Sequence, residues 1–214
     1  MKRIIEFEEF SVNEAVIMPK NFGKMMDEIN SKTSKARHGD ITLEEANKIG
    51  ESYGVKFLNY DEFLEELPEN LRHTAPPRGT PFFGFLDKND TIKIVSGFGR
   101  VTFRDLGFIN HILEHESVHI GQSERNKSGK WTLPNANDSK AYFSDKNEVM
   151  AFSQSIINMI HEMTPIRNLE QLKRALNSNP LWRNIKSAIG NDKEIKNRYL
   201  KYIYQYAEKY IDGN

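Results

Sequence analysis

The stretch PFFGFLDKNDTIKIVSGFGRVTFRDLGFINHILEHESVHIGQ, Pro81 to Gln122, changes its hydrophobic period midway, and that change decides how the chain is read. Its first part holds two runs rich in Phe, Ile and Val, PFFGFLD and TIKIVSGF, separated by Lys88, Asn89 and Asp90. This is the pattern of a β-hairpin. Upstream, Pro76, Pro77 and Pro81 forbid a helix. From about Thr102 the apolar residues recur at helical spacing, with Leu106, Ile109, Leu113 and Ile120 forming a stripe that ends near Gly121. A strand therefore feeds directly into an amphipathic helix.

That helix carries His111, His115 and His119, and their spacing of four puts all three on one face. Within the run stands His115-Glu116-Ser117-Val118-His119, the H-E-x-x-H pattern. Two imidazoles one turn apart can reach one zinc ion, and Glu116 projects toward the fourth coordination position, where a carboxylate can take a proton from water. A catalytic zinc site also needs a third protein ligand. The chain has no cysteine, which excludes thiolate ligands along with disulfides, iron–sulfur clusters and thiol nucleophiles. An extended metzincin pattern would require glycine at 122 and histidine at 125, where the chain has Gln122 and Arg125. A second helix is expected from about Asp145 to Met163, and His161 lies at its far end, badly placed for ligation. Asp138, Asp145 and Glu148 are left as candidates. Glu148 is preferred, because it falls near the start of the second helix and the small Ala151 lets that helix approach a partner closely. A competing reading is that Asp145 and Glu148 form a capping box through their D-x-x-E spacing. His111 is either a group behind the metal or a half-buried structural histidine. Gln122, one turn beyond His119, either touches the site or is a plain polar helix residue.

With HESVH at His115 to His119 and NEVMA at Asn147 to Ala151, the sequence resembles the zincin metallopeptidases, and more narrowly their gluzincin arrangement. The resemblance covers about Thr91 to His161. It implies a zinc-dependent metallopeptidase with His115, His119 and Glu148 as Zn2+ ligands and Glu116 as general base, acting on a peptide or protein substrate. In this reading zinc polarises the scissile carbonyl, Glu116 passes the water proton to the leaving amine, and a further donor steadies the oxyanion. Tyr142, six residues before Glu148, is the favoured donor. The strand Thr91 to Ser96 is a candidate for edge pairing with an extended peptide, if it has a free edge. One departure from thermolysin-like enzymes stands out: the acidic residue they place four after the ligand glutamate, to orient a metal-binding histidine, is Phe152 here. The chain thus reads as a small, divergent zincin.

Outside this region, 214 residues with 38% hydrophobic and 28% charged content suit one soluble domain with a small appendage. The expected class is α+β: a zincin-like core over residues 1–164, in which a hairpin or small sheet packs on the H-E-x-x-H helix and a second ligand helix, and an all-helical C-terminal portion over 165–214. Thirty basic residues balance thirty acidic ones, which disfavours nucleic acid as a partner. No apolar run suggests a leader or a membrane span, so a cytoplasmic location without membrane contact is expected. Ile4 to Val12 suggest a first strand, Phe22 to Ile29 a short helix, and Ser31 to Asp40 a polar loop. Thr42 and Glu45 form a capping-box pattern for a helix that Gly54 stops. Between Glu44 and Glu69 eight acidic residues face two lysines, while after Pro165 ten basic residues face five acidic ones. Solvated helix faces account for this asymmetry more simply than partner docking. The alternative function is a catalytically inactive zincin-fold protein serving as an interaction or inhibitory module, but such a module has no need of a carboxylate between the histidines. The tyrosines of the last helix, at spacings of three and four, read as a packing face.

Overall fold

A computed structural model describes residues 21–87, 89–125 and 138–211 and shows an α+β protein. By their internal contacts these residues divide into two units, 21–125 and 138–211.

The first unit opens with α1 (Gly23–Lys35), β1 (Asp40–Thr42) and α2 (Leu43–Gly50). Thr42 and Glu45 close the capping box at the head of α2, with Thr42 Oγ1 accepting the Glu45 N–H and Glu45 accepting the Thr42 N–H. After a 3-10 turn, Gly54 adopts φ +70°, a conformation that favours glycine, and releases the chain into β2 (Val55–Asn59). Next come α3 (Tyr60–Glu66), β3 (Phe82–Leu86), β4 (Ile92–Ser96), β5 (Arg100–Thr102) and the long α4 (Leu106–Arg125). The three-stranded sheet has the order β2-β4-β3, with β4 parallel to β2 and antiparallel to β3; β1 and β5 pair separately and antiparallel.

Alternation along the strands sends side chains to two cores. On one face Val55, Phe57, Ile92, Ile94 and Phe82 join Ile109, Leu113 and Ile120 of α4 with Met25 and Ile29 of α1. On the other, Leu58 and Val95 pack with Phe63 of α3, against which Phe83 and Phe85 also lie. The sheet is thus covered on both faces, and α4 lies along one of them.

The second unit is helical throughout: α5 (Ser139–Ser144), α6 (Lys146–Met163), α7 (Leu169–Ser178), α8 (Pro180–Ile189) and α9 (Lys193–Ile211). Trp182, Tyr199, Tyr202 and Tyr206 are fully buried, so the tyrosine stripe is a packing face. Trp182 and Tyr199 meet with ring centroids 5.6 Å apart.

Several expectations change. Helix α1 runs to Lys35 and β1 begins at Asp40, so the loop expected over Ser31 to Asp40 shrinks to residues 36–39, and Thr33 is buried within the helix. The strand β2 was not foreseen: VKFLN lies between the helix that Gly54 stops and a second short helix expected around Phe63 and Leu64, and five residues carry too short a pattern to mark a strand. Its insertion beside β4 makes β4 an interior strand, so Thr91 to Ser96 lacks the free edge that peptide pairing there would need. Helix α4 continues past Gly121 to Arg125. By internal contacts helix α6 groups with the helices of 165–214. The strand at Ile4 to Val12 and the Trp131 loop fall outside the described residues. Much of the acidic stretch is engaged locally: Glu45 and Glu62 cap helices, Glu44 pairs with Lys48, Asp61 with Arg78, and Glu66 with Lys56 and Lys93.

Candidate metal centre

At the entry to α4, the Asp105 carboxylate accepts the Thr102 N–H at 2.8 Å. The apolar stripe then faces the sheet, and the next face of the helix brings in His115, Glu116, His119 and Gln122, which are 8%, 8%, 4% and 4% exposed. The two imidazoles meet edge to face with centroids 5.0 Å apart, as spacing of one turn requires. Polar groups buried this deeply need partners. Within this face His119 Nδ1 lies 2.7 Å from Gln122 Oε1.

Strand β3 reaches this face of α4 through a glycine. A Cβ on Gly84 would stand 2.2 Å from Ile112 Cγ2 and 3.4 Å from Glu116 Cγ, so only glycine permits the approach. Among the described residues no strand pairs with the far edge of β3. The hairpin bonds from Asp87 N–H to Thr91 and from Gly97 N–H to Pro81 set the alternation of the ladder, which turns the N–H and C=O of Phe82, Gly84 and Leu86 toward that edge. The outer edge of β2 is occupied instead, since the Asn47 amide donates to the Phe57 carbonyl at 2.9 Å and accepts its N–H at 2.6 Å.

In the second unit two of the three candidate carboxylates are helix caps. Asp138 accepts the Ala141 N–H at 2.9 Å at the head of α5. Asp145 accepts the N–H groups of Asn147 at 2.8 Å and Glu148 at 3.3 Å at the head of α6. The Asp145 N–H itself goes to the carbonyls of Ala141 and Tyr142. Asp145 is thus an N-cap whose amide Glu148 has no call to cap. Glu148 is 8% exposed.

Beside it, the buried Tyr199 phenol donates to the Phe143 carbonyl at 3.0 Å. Burial pushes the Tyr199 pKa well up, and the Glu148 and Asp145 carboxylates push it the same way, so the phenol stays neutral. No feature of the tyrosine spacing distinguishes Tyr199 from its neighbours in the stripe. Tyr142 packs against Phe143 and Phe152, with centroid separations of 5.3 and 5.6 Å, and Phe152 lies one turn beyond Glu148 on α6.

One ligand atom from each of His115, His119 and Glu148 lies within 4.8 Å of the others, and among the described residues no other such trio of His, Asp or Glu is found. Two imidazoles and a carboxylate, all largely withdrawn from water, are a donor set that fits a metal ion. Asp138 and Asp145 are not in this group, nor is His161, which stacks on Tyr210 at 3.8 Å. His111, one turn before His115, lies 4.0 Å from the Glu114 carboxylate and is likewise outside the trio. No helix among the described residues is long and apolar enough to cross a membrane. In comparisons with known proteins the chain matches no family model, no curated protein and no solved structure.

Proposed function

We propose that this chain is a zinc-dependent peptidase with a zincin-like core, in which His115, His119 and Glu148 hold Zn2+ and Glu116 is the general base. The observation that carries this reading is the convergence of the three ligand atoms within 4.8 Å. Imidazole nitrogen and carboxylate oxygen suit zinc better than calcium or magnesium, which take mostly oxygen. A zinc ion there supplies Lewis acidity to a substrate carbonyl and acidity to the attacking water.

The chain's own residues account for the remaining steps. Glu116, beside a ligand histidine and 8% exposed, takes the proton of the attacking water and returns it to the leaving amine. Tyr142, held by the Phe143 and Phe152 rings, is the proposed hydrogen-bond donor to the developing oxyanion. Support for a peptide, as against another hydrolysable bond, comes from β3. Its outward N–H and C=O groups at Phe82, Gly84 and Leu86 offer a ladder to an extended backbone, and Gly84 brings that edge against the helix segment bearing Glu116.

The experiment is Glu116→Gln, assayed on a broad peptide or protein library with zinc content measured in parallel. Glutamine keeps the size of glutamate but cannot take up a proton at neutral pH. Cleavage should fall by roughly 10²–10⁴-fold while zinc stays bound. Cleavage equal to that of the unmodified protein, or cleavage that survives exhaustive chelation, would leave the inactive interaction module as the better reading.

A further inference from the structure

We infer that Gln122 is the positioning residue for the His119 ligand, fixing the tautomer of that imidazole and thereby setting the affinity of the site for zinc; the inference rests on the metal reading above. Gln122 Oε1 lies 2.7 Å from His119 Nδ1, and both side chains are 4% exposed. An amide oxygen accepts hydrogen bonds and cannot donate. The proton of the pair therefore sits on Nδ1, which leaves the Nε2 lone pair for a metal ion.

Two features make this more than a helix-surface contact. The spacing of three residues lets one helix hold ligand and orienting group together, with no dependence on a distant element. The pair is buried, where an unmatched ring N–H is costly, so alternative tautomers of His119 are disfavoured before any metal arrives.

The test uses the full chain and zinc alone. Zinc affinity is measured by competition with a chromophoric chelator for the unmodified protein, Gln122→Leu and Gln122→Glu, and imidazole nitrogen shifts report the His119 tautomer in the unmodified protein. The leucine variant, which has no acceptor, should bind zinc roughly 10–100-fold more weakly. The glutamate variant, which keeps the acceptor, should stay within a few-fold of the unmodified protein. His119 should carry its proton on Nδ1 both without and with zinc. Equal affinity for the leucine variant, equal loss in both variants, or a proton on Nε2 in the unmodified protein would overturn the assignment. The tautomer measurement needs no substitution, so it decides the matter even if a variant fails to fold. Failure of the unmodified protein to bind zinc would overturn the metal reading as well, whereas zinc binding indifferent to Gln122 would overturn this inference alone.

Discussion

Residues 21–125 and 138–211 solve the problem of placing a buried polar side chain in different ways. In the first unit the histidines, Glu116 and Gln122 all stand on α4, so their mutual geometry follows from helical spacing, and α4 is held along a sheet whose β3 strand approaches through Gly84. In the second, Glu148 stands in the first turn of α6, a helix head capped by Asp145, with the Tyr199 bond to Phe143 close by. The first arrangement is local and robust. The second combines a local cap with one long-range bond, each worth about 1 kcal/mol.

The largest expected effect tests whether both regions contribute to one site. His115→Ala and His119→Ala should each weaken zinc binding by more than the roughly 10–100-fold typical of a lost orienting partner, because a ligand itself is removed. Glu148→Ala should produce a loss of the same order. If zinc affinity were unchanged by Glu148→Ala while both histidine variants failed, the second unit would hold no part of the site.

A smaller effect separates ligation from capping. Asp145→Ala removes the acceptor for two N–H groups at the head of α6 and should cost about 1 kcal/mol of stability in denaturant unfolding. It should leave the zinc stoichiometry at one, the reverse of Glu148→Ala. In the first unit, Gly84→Ala drives a methyl group into Ile112 and should destabilise by about 1–3 kcal/mol. Combining it with Ile112→Ala should recover part of that loss, because the colliding Cγ2 is gone. Tyr199→Phe should likewise cost about 1 kcal/mol, from the lost bond to Phe143, with zinc affinity little changed.

How much could be read in advance follows the same division. The hairpin, α4 and the histidine pair were legible because each depends on periodicity within a few residues, and the Thr42–Glu45 box was legible for the same reason. The preference for Glu148 over Asp138 and Asp145 rested on position in a helix, and the caps explain why the two aspartates are engaged elsewhere. Strand β2 was missed because five residues, VKFLN, form a strand only through parallel pairing with β4, a contact more than thirty residues away in sequence. That pairing also decides which strand is the edge. A hairpin pattern alone leaves both of its strands free, so the available edge could not be assigned to β3 until the third strand was in place. Gln122 was visible as a residue one turn from His119, but its role depends on rotamer and burial, which spacing does not specify.

The most direct test of the central claim is metal analysis of the purified, zinc-supplied protein combined with anomalous diffraction at the zinc absorption edge. One zinc per chain, with an anomalous peak bounded by His115, His119 and Glu148, is the predicted result. Absence of stoichiometric metal, or a peak held by other residues, would contradict it.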